Sequence, residues 1–261
     1  MTVKSGSNFD ISVIMPSLNE EKNIAAALEN TLAALEKFKI RGEVIAIDDG
    51  SSDRTADLVK AAAKDNPAIS LLSHSRPQGI GASFWDGVAN ARGNAIVLIP
   101  GDNECIPEEI FRYYGLLKDV DMIIPFVLNK EVRPPLRLLL SFIYKLIINF
   151  TFFVNFNYTN GTIIYRKSVL EDAGSRNMGF FFQTDILIRA VKKGYLFAEV
   201  PYRLGKRKAG DSKAFSLRSL LNVIKGYLRL TFDYYFKKHL HDKKGFAPDS
   251  ATAIRRSANN H

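Results

Sequence analysis

Four short apolar runs, each closed by a turn rich in Gly, Pro, Asp or Asn and followed by a helix-periodic stretch, leave this chain few architectures. Ile11 to Met15 (ISVIM) ends at Pro16, and a helix from Asn19 or Asn23 carries Ile24, Leu28, Leu32 and Leu35 at helical spacing. Glu43 to Ile47 (EVIAI) runs into Asp48, Asp49, Gly50, Ser51, Ser52 and Asp53; an alanine-rich helix from about Asp53 to Lys64 then stops at Asn66-Pro67. Ile69 to Ser73 and a helix led in by Gly79 to Gly81 and reaching Ala91 make the third unit. The fourth run, Ala95 to Ile99, passes straight into Pro100-Gly101-Asp102-Asn103-Glu104. Unbroken apolar runs separated by helices mark parallel strands buried on both faces, so this rhythm predicts a doubly wound α/β sheet. Ligands of such sheets gather outside the carboxyl ends of the strands. The turns after the second and fourth runs, crowded with carboxylates, are therefore where chemistry is expected.

Composition sets the outer limits. A chain of 261 residues, 46% hydrophobic, suffices for one large α/β domain with an appendage and excludes general disorder. The single cysteine, Cys105, rules out a disulfide framework and a thiolate metal site, and suits a reducing compartment. The opening MTVKSGSNFD has no apolar core of the secretory type, so no leader is expected. The net charge of +9 sits in the last quarter, where fourteen Lys/Arg from residue 201 onward face four Asp. The rest of the chain is near neutral, and a basic terminal region on a neutral body points to an anionic partner.

Two familiar phosphate-binding patterns are excluded. Gly79-Ile80-Gly81 has Phe84 where a dinucleotide fingerprint needs its third glycine, and it follows the third strand. No Gly-Lys-Ser/Thr loop is present. The acids are more informative. Asp102 and Glu104, two residues apart at a strand end, suit a hard cation held against a diphosphate. Asp49 can accept N–H bonds from a nucleobase, which a pyrimidine or a guanine edge both offer.

Taken together and in this order, Ile14 to Glu21 (IMPSLNEE), Ile47 to Thr55 (IDDGSSDRT), Gly79-Ile80-Gly81 before a helix and Pro100 to Glu104 (PGDNE) resemble glycosyltransferase family 2, inverting enzymes of GT-A fold. The likeness covers roughly residues 10 to 215. Within the family, Arg207 to Lys213 (RKAGDSK) is similar to the R-x-x-G-x-S-K element of polyprenyl-phosphate sugar transferases, the dolichol-phosphate mannose synthases among them. The resemblance implies a Rossmann-like, mostly parallel sheet flanked by helices. It implies that Pro16, Leu18, Glu20, Ile47, Asp49 and Gly101 line the donor, with Arg207 and Lys213 on its diphosphate. Asp102 then answers to the second acid of the family's D-x-D, while Pro100 replaces the first and Glu104 falls where a metal-binding Gln often stands. Mg²⁺ or Mn²⁺ is the implied cofactor, because such ions take few protein ligands and let phosphates complete the octahedron. Asp185, after Phe180 to Thr184 (FFFQT), fills the second place of an acidic pair that serves relatives as general base, and Thr184 departs from the first. The catalytic set so implied is Asp102, Asp185, Arg207 and Lys213.

Two segments point to a lipid acceptor. Arg133 to Phe156 is long enough to span a bilayer, yet Lys145 in its middle costs roughly 3 kcal/mol against about 0.3 to 0.6 gained per Leu, Ile or Phe. Gly161 to Arg166 (GTIIYR) then returns as a strand of the same domain, so a crossing would split the active site. The segment is read as an interfacial helix or hairpin with Arg133 or Arg137 on the acceptor phosphate. Ser216 to Leu240 places Leu217, Leu220, Leu221, Ile224, Leu228 and Thr231 on one stripe bordered by Arg218, Lys225 and Arg229, the pattern of a membrane-surface helix. The expected organisation is a catalytic domain over 8–215, the amphipathic helix over 216–240 and a disordered basic tail over 241–261.

The function expected on these grounds is transfer of a sugar from a nucleotide-diphosphate donor to a polyprenyl phosphate at the cytoplasmic membrane face. The chain would be peripheral on an anionic inner leaflet, would bind no nucleic acid and could form a homo-oligomer. The alternatives are a sugar or lipid hydroxyl acceptor with Asp185 as base, and a non-catalytic nucleotide-sugar or membrane-binding module.

Overall fold

In the computed structural model, which describes residues 9–129, 131, 133–174, 176–205, 217–237 (backbone only for 217–219) and 245–259, seven strands form one sheet. They are β1 (Ile11–Ser17), β2 (Gly42–Asp48), β3 (Ile69–Ser73), β4 (Ala95–Leu98), β5 (Met122–Val127), β6 (Ile164–Arg166) and β7 (Phe197–Tyr202), in the order β3-β2-β1-β4-β6-β5-β7. All neighbours are parallel except β6, which runs against both β4 and β5. The carboxyl ends of the other six therefore share one edge, and the amino end of β6 joins them there.

The runs named from the sequence become β1 to β4, joined by α1 (Ile24–Lys37), α2 (Thr55–Asp65) and α3 (Ile80–Asn90). Side-chain alternation along the strands divides the core in two. Val13, Met15 and Val97 face Ile24, Leu28 and Leu35 of α1, Val59 of α2, and Ile110 and Phe111 of α4 (Pro107–Phe111). Ile14, Ile96 and Leu98 face Phe84, Trp85 and Val88 of α3, along with residues of four further helices. Those are α5 (Pro135–Phe152) with Ile148 and Phe152, α6 (Lys167–Asp172) with Val169, α7 (Phe182–Lys193) with Ile186, and α8 (Leu217–Phe236) with Leu230. A side chain such as Ile14, wholly buried here, contributes about 1.5–3 kcal/mol. Each face collects many of them, and this holds the two layers of helices to the sheet.

Several expectations need correction. The return strand after residue 161 is shorter than GTIIYR and antiparallel, because the loop before it is committed to the carboxyl edge. Of the two forms expected for segment 133–156, a helix or a hairpin, the helix is found: α5 covers Pro135–Phe152, with Pro134 before it and Pro135 in the first turn, where a missing N–H costs nothing. Residues 241–261 are not a disordered tail throughout. Within them α9 (Ala251–Ala258) is capped by the Ser250 hydroxyl and docked on Asp121, a fully buried carboxylate that accepts from Ala251 N at 2.7 Å and from the Thr252 hydroxyl. The sequence reading also names no strand at β5 or β7 and no helix at α4 or α6 (Lys167–Asp172).

Candidate active site

Three loops meet at the carboxyl edge because their strands are adjacent, β2 beside β1 and β1 beside β4. The loop after β1 is sewn to the loop after β2. Asn19 N donates to Ser51 Oγ at 2.9 Å, Glu20 N to Thr55 Oγ1 at 2.8 Å and Glu21 N to Asp53 Oδ2 at 3.1 Å, while Ser52 N donates back to Asn19 Oδ1 at 2.8 Å. Gly50 is required in this turn: its φ is +76°, and a Cβ would lie 2.8 Å from the Arg76 backbone. Thus the Asp-Gly-Ser turn is pressed against the segment that leads to α3.

The loop after β4 is seated on β1. Gly101 N donates to Pro16 O at 3.0 Å, and a Cβ on Gly101 would collide with the Ser17 hydroxyl. Beyond it the chain turns through Asn103 at φ 58°, whose side chain accepts from Asn30 of α1 at 3.0 Å. Asp102 Oδ1 accepts the Glu104 N–H at 3.1 Å, which leaves its second oxygen for other partners. Asp102 and Glu104 are both half-buried on this turn. Among the described residues no three His, Cys, Asp or Glu side chains converge as a closed metal cage. Two carboxylates on one turn, all-oxygen and incomplete, fit a hard cation whose remaining positions go to phosphate and water.

The donor-lining residues separate into two groups. Leu18 and Glu20 keep exposed surface at the rim, and Gly101 lies in the floor. Ile47 is corrected: it is fully buried in the core, paired across the ladder with Pro16, itself buried, so neither presents a free side chain. Asp49 is buried and already engaged, with Oδ1 accepting from Gln78 N at 2.7 Å and Oδ2 from Gly79 N at 2.8 Å. Its Oδ1 also lies 2.7 Å from His74 Nδ1, a neighbour that nothing in the sequence pattern signals.

The acceptor side approaches from α5. Arg133, just before this helix, donates to Tyr158 OH at 3.2 Å with its guanidinium 5.4 Å from the Tyr158 ring centre. Burial opposes its charge, but Tyr158, Tyr202 and the Glu104 carboxylate outweigh burial and raise its pKa above the usual arginine value. Arg133 is thus brought into the field of a metal-type acid, while Arg137 stands in the first turn of α5. Glu104 O accepts Gly205 N at 3.1 Å, which ties the segment after β7 to the acid turn. Arg207 and Lys213 lie outside the described residues.

Asp185 comes only partway. The start of α7 reaches the edge through Gln183 Nε2, which donates to Gly161 O at 2.6 Å, and through Thr184 Oγ1, 2.7 Å from Tyr144 OH of α5. Burial pushes the Tyr144 hydroxyl up to about 12. The Asp185 carboxylate, however, turns along α7 to Arg189 Nε at 2.9 Å, and Arg189 continues to Asp233 of α8 at 2.7 Å. Burial raises its pKa against the pull of Arg189. The Arg189 partner was legible at a four-residue spacing on one helix face; Asp233, 44 residues on, was not.

Residues 12–174 match the model of glycosyl transferase family 2. Over 104 residues the chain is 36% identical to an undecaprenyl-phosphate 4-deoxy-4-formamido-L-arabinose transferase of Pectobacterium atrosepticum, covering 40% of this chain and 32% of that one. A protein of the same description from Pseudomonas fluorescens is 33% identical, over 39% and 30% of the two chains. The chain spans about a third of the length of these curated relatives. Among solved structures, the glucosyl-3-phosphoglycerate synthase of Mycobacterium tuberculosis with Mn²⁺, UDP and glucosyl-3-phosphoglycerate superposes with a TM-score of 0.62 at 20% identity, over 85% of this chain and 80% of that one. The same enzyme with Mg²⁺ and UDP gives 0.64 at 20% identity, over 85% and 79%. At that identity the likeness shows the GT-A fold.

Proposed function

The chain belongs to glycosyl transferase family 2, and on that premise we propose that it moves a sugar from a nucleotide-diphosphate donor to a polyprenyl phosphate at the inner membrane face. The observation that carries the reading is the meeting, at one sheet edge, of the Asp102–Glu104 turn with Arg133 at the foot of an exposed apolar helix. The undecaprenyl-phosphate transferases it resembles supply the acceptor class. Asp102 and Glu104 would hold Mg²⁺ or Mn²⁺, which would neutralise charge on the departing diphosphate. Arg133, with Arg137 above it, binds the acceptor phosphate, and a phosphate oxygen attacks the anomeric carbon as the bond to the diphosphate breaks. No proton is removed in that step. Arg207 and Lys213 are proposed to share the leaving-group charge; opposite charges about 4 Å apart are worth on the order of 4 kcal/mol at an effective dielectric near 20.

The membrane side of the proposal rests on α5 and α8. On α5, Leu136, Leu139, Phe142, Leu146 and Phe150 are exposed, and its 18 residues have mean hydropathy 1.4 with 11% buried. On α8, Leu220, Leu221, Ile224, Leu228 and Phe232 are exposed. Thr151 Oγ1 lies 2.8 Å from Tyr227 OH and Thr151 O accepts from Tyr235 OH at 2.5 Å, so the two helices lie together. A bilayer surface covers such a face, and Lys225 and Arg229 would each add about 1 kcal/mol near anionic headgroups. The test is a panel of nucleotide sugars with Mn²⁺ and undecaprenyl phosphate. Lipid-linked sugar formed from one donor is expected, and product only with hydroxyl acceptors would overturn the phosphate reading.

A further inference from the structure

His74 stands one residue past β3, its side chain 9% exposed, with each ring nitrogen against a carboxylate: Nδ1 is 2.7 Å from Asp49 Oδ1 and Nε2 is 3.0 Å from Asp86 Oδ2 on α3. The charged groups that face the ring are these two acids, one from the β2 end and one from α3; Arg76 is exposed on the ring's own loop. The carboxylates bring no proton, so a hydrogen bond in this clasp is donated by the ring. The backbone fixes the ring as well, since His74 N donates to Asp48 O at 2.9 Å.

The clasp has a consequence for Asp49. Its Oδ1 is filled by His74 and by Gln78 N, while Oδ2 accepts Gly79 N and keeps one acceptor place open. We infer that His74 is a positioning residue of the donor site, which by holding Asp49 between β2 and α3 fixes the single acceptor place that Asp49 offers to the nucleoside of the donor. The inference rests on the reading that a nucleotide sugar binds at this edge. Without the ring, Oδ1 loses a partner and the carboxylate can turn. Affinity for the nucleoside then falls, while the chemistry at Asp102 is untouched.

The test is calorimetric titration of the full chain with UDP and with GDP in Mn²⁺, alongside donor kinetics. For the better-bound nucleotide, His74→Ala is expected to weaken binding about tenfold, and Asp86→Asn about threefold. The loss should appear in the donor KM and not in kcat. Where His74→Ala does not fold, His74→Gln, which keeps one N–H donor, carries the comparison. Binding by His74→Ala within about twofold of wild type would overturn the inference. If wild type binds neither nucleotide, the donor-site reading falls and this role with it; unchanged binding by the variant sinks the role alone.

Discussion

The loops at the carboxyl edge and the outer face of α5 and α8 are opposite solutions to the same problem of satisfying a surface. At the edge, backbone donors of Asn19, Glu20, Glu21 and Ser52 find side-chain acceptors in the neighbouring loop, and Asp49 and Asp53 each accept several bonds. The network closes on itself. On the outer face, Phe150 is 82% exposed, Leu136 67% and Phe236 74% among the described residues. Folding completes the first region, whereas the second needs a partner surface, since soluble chains rarely leave so much contiguous apolar area in water. A site preorganised by its own bonds beside a face that is not is the layout expected where a soluble donor meets a lipid acceptor.

The sharpest way to test the self-contained half is to disturb its one acid turn. Asp102→Asn keeps the shape and removes a charge, so turnover should drop on the order of 10²- to 10³-fold, with nucleotide-sugar binding weakened only in the presence of Mg²⁺ or Mn²⁺. Full activity in EDTA would exclude a metal role for this turn.

The other half is tested on its exposed residues, because shortening the chain would strip Leu230 and α9 from the core. Replacing Leu139, Phe142 and Leu146 of α5, or Leu221, Leu228 and Phe232 of α8, by Ser should cut co-sedimentation with anionic vesicles at least about tenfold, each side chain being worth up to roughly 1.5–3 kcal/mol when buried. Melting should barely change, as these side chains are already in water. Equal sedimentation of both triple variants would leave the face without a bilayer role.

What the sequence disclosed follows the same division. β1, β2 and β4 were legible because parallel strands buried on both faces are continuous apolar runs, and the part-exposed edge strand β3 because Asn66-Pro67 sets it off from α2. β5 (MIIPFV) and β7 (FAEVPY) were hidden by internal prolines and by the charge of Glu199, which instead receives Asn157 N at 2.6 Å. α9 looked like tail because its anchor, Asp121, is 130 residues away in the chain. Asp49 lies just past β2 and Asp102 and Glu104 follow β4, where the apolar runs ended in the sequence, while Ile47 is a core residue, as strand alternation alone implied. His74 was out of reach, since a ring held by acids 25 residues before it and 12 after leaves no spacing to recognise.

Asp185 lies where the two regions join, on a helix that begins at the edge and is tied to α8. If the acceptor is a phosphate, Asp185→Asn should cost less than about tenfold in turnover; a hydroxyl acceptor would make the loss about 10²- to 10⁴-fold. The geometry favours the smaller figure, because the carboxylate is turned along α7 to Arg189 and on toward Asp233, and not into the loops of the edge.

The smallest effect expected is one of stability against pH, and it separates the two acids of the α7–α8 network. Asp233 has its pKa lowered: burial opposes this, but bonds from Lys237 and Arg189 prevail. Its ionised form is favoured in the fold, so its contribution is present above the ordinary carboxylate pKa of about 3.9 and is lost as pH falls through the lower folded value. Asp10 and Asp53 behave alike, through Arg41 and through Thr55. Asp185 has the opposite sign. Its raised pKa means the folded protein binds a proton that the unfolded chain does not hold between the two values, so this group gains stability as pH falls from its folded pKa toward about 3.9. Asp185→Asn removes that gain and leaves the acid losses in place. The wild-type melting temperature should therefore rise relative to the variant on acidification, by about 2–4 °C for each kcal/mol involved. A melting difference that stays constant from neutral pH to about pH 4 would show that Asp185 titrates alike in the folded and unfolded chain.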